Sequence, residues 1–121
     1  FGINILAQRA ALIALEDQHY LKTVISSVNH SKKGIEAIAS ESGLECIPSF
    51  ANFVAVDCGR DAMFARAVLD GLVDRRIFVR MPFVEPQSRC IRISAGKPSD
   101  LKRLTQILPE VLSEVTFSKN C

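Results

Sequence analysis

Along residues 3–15 apolar side chains point in nearly every direction around a helical wheel, among them Ile3, Ile5, Leu6, Leu12, Ile13 and Leu15. A helix apolar all round is buried on more than one side. One small domain cannot easily cover it, so its cover is expected to come from outside this sequence. From Asp17 onward the pattern turns amphipathic. Leu21, Val24, Ile25, Val28, Ile35, Ile38 and Ala39 recur at three- and four-residue spacing, with Lys22, Lys32, Lys33 and Glu36 on the other side. Gly43 is placed to end that helix.

Two short strands are predicted next, over residues 45–47 and 53–57, separated by Pro48-Ser49. Asp61 is an N-cap for a helix running to about Arg75, with Phe64, Val68, Leu72 and Val73 inward. Residues 77–80 and 90–94 read as third and fourth strands. A last helix starts near Pro98, a proline in its first turn. Leu101, Leu104, Ile107, Leu108, Val111, Leu112 and Val115 form its core stripe, and Pro109 is expected to bend it. The predicted order is α-α-β-β-α-β-β-α, an α+β domain with helices on one face of a small, mostly antiparallel four-stranded sheet. No repeat or linker interrupts it, and residues 1–121 are expected to form one domain.

Composition narrows the class. At 48% hydrophobic and 23% charged residues the chain has an ordinary globular balance, not that of a disordered tail. The net charge is +2 with both signs interspersed, so no nucleic-acid surface is expected. No apolar stretch approaches a membrane span. The four cysteines (Cys46, Cys58, Cys90 and Cys121) form no Cys-x-x-Cys pair and are not spaced with His19 or His30 as zinc ligands. They read as free thiols of a reducing cytoplasm, small buried hydrophobes plus one tail thiol. The chain opens Phe1-Gly2-Ile3-Asn4, without an initiator methionine or a signal-peptide n-region, and a piece of a longer protein is the simpler expectation.

Candidate chemistry is sparse. There is no nucleophile-base arrangement, no phosphate-cradling glycine loop and no metal-ligand spacing, and Gly96 reads as a turn residue. Arg80 ends the third predicted strand, and Arg92 lies inside the fourth, in Cys90-Ile91-Arg92-Ile93-Ser94. Alternation puts Ile91 and Ile93 on one face and Arg92 on the other. A guanidinium in mid-strand is suited to holding a carboxylate or phosphate bidentately. A structural ion pair or a solvent-facing arginine is the alternative for both. Asn52, just ahead of Phe53-Val54-Ala55-Val56, reads as turn chemistry or a ligand contact. Tyr20 and Asn4 read as structural.

Taken in order, AALIALEDQHYL, Asn29, GLECIPSFANFVAVDCG, IFVRMP and RCIRISAGKPSDL resemble the C-terminal portion of histidinol-phosphate aminotransferases, especially members with an Arg-Met-Pro segment. The resemblance covers nearly the whole chain. It implies a fold-type-I subunit about three times this length, a cytoplasmic homodimer. That subunit's large domain would bind pyridoxal phosphate as a Schiff base to lysine. The implied activity moves an amino group between histidinol phosphate, or a related anionic amino donor, and 2-oxoglutarate. It further implies that Arg92 grips the anionic end of the substrate, that Arg80 is a second arginine beside the same group, and that Asn52 lies at the pocket edge. Residues 1–16 would be an interdomain or dimer-contact helix. None of Lys22, Lys32, Lys33, Lys97, Lys102 and Lys119 sits in the family's cofactor-lysine motif, so this piece alone is expected to be inactive. Many relatives carry glycine where this chain has Arg76, which raises the question of how the turn after the third helix is made.

Two other readings remain at this level. One is a free-standing anion- or small-molecule-binding α+β module using Arg80 and Arg92. The other is an interaction domain using the apolar first helix.

Overall fold

Asn4 starts the first helix by accepting the Ala7 N–H at 2.8 Å, the ordinary service of an asparagine N-cap. In the computed structural model, which describes residues 2–117, α1 runs Ile5–Glu16 and α2 Gln18–Glu41. Asp17 separates them: it closes α1 and caps α2, its carboxylate accepting the Tyr20 N–H at 2.9 Å. Then come β1 (Glu45–Ile47), β2 (Phe53–Asp57), α3 (Ala62–Asp74), a short 3-10 turn (Gln87–Arg89), β3 (Cys90–Ser94) and α4 (Pro98–Phe117). Asp61 caps α3 through the Phe64 N–H at 2.8 Å. Asp100 reaches back from the first turn of α4 to the Lys97 N–H, also at 2.8 Å, one half of a capping box. α4 continues through Pro109 as one helix. Lys119 and Cys121 lie outside the described residues.

Both α2 and α3 end in the same motif. After α2 the Leu44 N–H reaches Ala39 O at 2.9 Å and the Gly43 N–H reaches Ser40 O at 3.0 Å, with Gly43 at φ +74. After α3 the Ile77 N–H reaches Leu72 O at 2.9 Å and the Arg76 N–H reaches Val73 O at 2.8 Å, with Arg76 at φ 61. These are paired Schellman closures, one built on glycine and one on arginine. The second turn takes the same left-handed conformation as the first, with a residue whose Cβ opposes it.

The sheet has three antiparallel strands in the order β1-β2-β3, not four. Residues 77–80 supply only a single bridge, Arg80 to Arg92. The reason is donor supply. Pro82, which would stand opposite Cys90, has no N–H to extend a ladder past Arg80. A run with strand composition therefore becomes an extended strap pinned at one point.

α2, α3 and α4 cover one face of this sheet. Val54 and Val56 of β2 and Ile91 of β3 are wholly buried against Ile35, Val68, Leu72, Leu108 and Val111. The helices approach closely at glycine: a Cβ on Gly34 would stand 2.8 Å from Leu101, and one on Gly71 would stand 2.8 Å from Val111. Across the α3–α4 contact, Arg75 donates to both Glu114 carboxylate oxygens at 2.6 and 2.7 Å. Glu114 is largely exposed, so this pair adds little stability.

Cys46, Cys58 and Cys90 are free thiols. Burial, with the neighbouring Cys90 and Asp57, pushes the Cys58 thiol up to about 12, so it acts as an inert core residue. α1 has no buried residue, and Ile5, Leu6, Leu12, Ile13 and Leu15 are all exposed. The bare surface continues into α2 through Tyr20, Leu21 and Ile25. Nothing within the described residues covers the helix that the sequence marks as apolar all round.

Candidate functional site

The sheet face opposite the helices carries the candidate residues Arg80, Arg92 and Asn52. Period-two alternation that sends Val54, Val56, Ile91 and Ile93 inward sends Phe53, Ala55, Arg92 and Ser94 outward. Register places Ala55 directly across from Arg92 and Phe53 across from Ser94. On its other edge Arg92 exchanges backbone hydrogen bonds with Arg80: its N–H reaches Arg80 O at 2.6 Å and its carbonyl accepts the Arg80 N–H at 3.1 Å. Asn52 is tied to the end of β3, its carbonyl accepting the Ala95 N–H at 2.9 Å.

Asn52, Arg80 and Arg92, separated widely in sequence, thus line one open depression of about 380 Å³, together with Phe53, Phe78, Val79 and Ser94. Arg92 is half-buried and its Nε is buried without a hydrogen-bond partner. The described ion pairs are Arg75 with Glu114 and Arg89 with Asp57, and neither involves Arg80 or Arg92. The ion-pair alternative for Arg92 is therefore not what the structure shows. Its guanidinium instead lies over the Phe53 ring, 3.9 Å from the centroid. Two neighbouring cations without a counter-charge form a ready receptor for an anion, and Arg92 presents a planar fork suited to a carboxylate or phosphate.

Sequence reasoning missed Phe53, Ala55 and Phe78. Alternation along β2 was enough to put Phe53 on the outer face, but its meeting with Arg92 depends on the register of strands far apart in the chain. Of the remaining candidates, Asn4 is a helix cap. Gly96 is a turn residue whose N–H is taken by the buried Ser31 hydroxyl at 2.9 Å. Tyr20 is exposed on the bare side of α2.

Among the described residues no group of three or more His, Cys, Asp or Glu is gathered as for a metal ion, and no helix is long and apolar enough to cross a membrane. No described lysine is buried either. Lys22, Lys33, Lys97 and Lys102 are exposed, and the Lys32 ammonium is taken by Ser49 O at 2.5 Å. A Schiff-base lysine needs an enclosed site that orients the imine. The described residues do not provide one.

No family model matches the chain. Curated relatives do. Histidinol-phosphate aminotransferase of Akkermansia muciniphila is 35% identical over 112 residues, covering 93% of this chain and 30% of that protein. The enzyme of the same name from Aliarcobacter butzleri is 32% identical over 115 residues, covering 95% of this chain and 31% of its own length. The chain therefore spans about 30% of the length of the curated relatives it matches. Among solved structures, histidinol-phosphate aminotransferase from Sinorhizobium meliloti, in complex with pyridoxal 5'-phosphate, superposes with a TM-score of 0.91 at 47% identity. That match covers 94% of this chain and 31% of the other. In sequence and in fold alike, the chain belongs to the histidinol-phosphate aminotransferase family, matching a C-terminal part of its members.

Proposed function

We propose that this chain is the substrate-gripping small domain of a pyridoxal-phosphate-dependent aminotransferase that moves an amino group between histidinol phosphate, or a related anionic donor, and 2-oxoglutarate. The observation that carries the proposal is the half-buried Arg92 guanidinium, without an acidic partner, beside Arg80 in a depression that also includes Asn52. A structural arginine in mid-sheet would be expected to have its charge answered from within the protein. This one is left to be answered by a ligand. Arg92 takes the anionic end of the substrate, Arg80 adds a second positive charge, and Asn52 borders the pocket.

Pyridoxal phosphate supplies the electron sink for transamination when bound. Its anchors are assigned to the remainder of the parent enzyme, because the residues described here do not fit it. The chain alone is accordingly proposed to be inactive. Residues 1–121 act as one domain, and residues 1–16 pack on the large domain or on a second subunit of a homodimer. The exposed apolar girth of α1 supports that assignment. The free thiols suit a cytoplasmic setting. No nucleic acid or membrane has a part in this reading.

Arg92→Ala in the full-length enzyme tests it. Removing a buried charge partner costs about 2–5 kcal/mol, so kcat/KM should fall by roughly thirtyfold or more. Cofactor absorbance should be unchanged. Undiminished efficiency toward every anionic substrate tried would make Arg92 structural.

A further inference from the structure

We infer that Phe53 is a positioning residue that carries the Arg92 guanidinium and sets the direction in which it meets the substrate's anion. The inference rests on the reading of Arg92 as the substrate grip. The Arg92 guanidinium carbon lies 3.9 Å from the Phe53 ring centroid, inside the ~6 Å reach of a cation–π contact.

The sheet builds this stack. Phe53 pairs with Ser94 and Ala55 with Arg92, so Phe53 is the diagonal neighbour of Arg92 on the same face, within reach of a long side chain. Ala55, directly opposite, has only a methyl group and leaves room for the guanidinium to swing across to the ring. The backbone beneath cannot shift to follow a ligand, because it is held by β2 on one edge and by Arg80 on the other.

A ring orients this group differently from a carboxylate. An aspartate would occupy the N–H donors and neutralise the charge. An aromatic face takes none of the N–H donors, so the terminal amino groups of the guanidinium and its full charge stay available. The buried Nε without a partner agrees with a group ordered by stacking and not by hydrogen bonds. Phe53 thereby lowers the ordering cost that the substrate would otherwise meet on binding.

The experiment uses the full-length enzyme and the substrate whose KM responds to Arg92→Ala. Phe53→Leu should raise that KM roughly fivefold, with kcat changed by less than about twofold. Phe53→Tyr should restore KM, since it restores the ring. In an Arg92→Ala background Phe53→Leu should add nothing, because Phe53 acts through Arg92. Should the leucine variant fold poorly, phenylalanines of increasing fluorine content at position 53 keep the shape while draining the negative face of the ring, and KM should climb with each fluorine. A flat fluorine series, or a Phe53→Leu effect of equal size with and without Arg92, would overturn the positioning role while leaving Arg92 as the grip. A silent Arg92→Ala would instead overturn the reading beneath both.

Discussion

Replacing Arg76 with glycine should stabilise this chain. Arg76 stands at φ 61, in the closure of α3, where its N–H and that of Ile77 are held by Val73 O and Leu72 O. A non-glycine residue in the left-handed region costs about 1–2 kcal/mol. Glycine relieves that strain but has more freedom to lose on folding, which returns roughly 0.4–1 kcal/mol. The arginine side chain is exposed, and its charge at the C-terminal end of a helix is worth about 0.3–1 kcal/mol at most. The net expectation for Arg76→Gly is a gain of about 0.2 kcal/mol, or roughly 1 °C in Tm for a domain of this size.

Two companion variants isolate the cause. Arg76→Ala loses the charge but keeps the Cβ, so it should fall slightly below the parent, with glycine about 1 kcal/mol above alanine. Gly43→Ala makes the reverse change in the matching closure of α2, at φ +74 with no atom within 4 Å of the added Cβ, and should cost about 1 kcal/mol from backbone strain alone. Urea titrations with a shared m-value, supported by thermal melts, read all three. Equal midpoints for Arg76→Ala and Arg76→Gly would refute the strain argument, since the side chain and not the backbone would then be responsible.

Arg92→Lys in the full-length enzyme should also weaken the anionic substrate, because lysine keeps the charge but loses the fork; a KM equal to that of the parent would count against bidentate recognition. The isolated chain should self-associate or leave α1 poorly protected, given its exposed apolar girth. Sedimentation showing a clean monomer at high concentration, with α1 amides protected from exchange, would contradict this. Mixed with pyridoxal phosphate, the isolated chain should give no stoichiometric, borohydride-trappable aldimine at a single lysine, as read by the visible spectrum and peptide mapping. Burial raises the Asp57 carboxyl, but the Arg89 Nε–H, the Gly59 N–H and the charge of Arg89 outweigh it and hold the group below the usual range. Its contribution is present at neutral pH and lost as pH falls below about 4, through its folded-state value. Asp57→Asn should therefore flatten the acid side of the stability profile, and an unaltered acid limb would show that the pair is inert.

Much of this fold follows from short-range rules visible in the sequence. The limits of β1, β2 and β3, the Asp61 cap and the start of α4 at Pro98 all express alternation or capping. The strand expected over residues 77–80 failed because strand composition is local while pairing is not. The donor that would carry the ladder past Arg80 is missing at Pro82. The site divided along the same line. Arg80, Arg92 and Asn52 could be singled out by residue type and place, and they do share one depression. The stack with Phe53 could not, because it depends on the register between β2 and β3.

That register also bears on the order in which the chain can fold. β1 and β2 are joined by a short loop and can zip as a local hairpin at small entropic cost. The other edge of β2 must wait for β3, which arrives only after α3 and the strap that follows it have been drawn in, so that Asp57 can meet Cys90. Ring closure over that span is slow unless α3 first docks and shortens the search. The face that bears Arg80 and Arg92, which needs both strands and the Arg80 strap, is thus expected to be among the last parts of the domain to form. A partly folded chain would carry most of its helices and its hairpin while Arg80 and Arg92 are still apart.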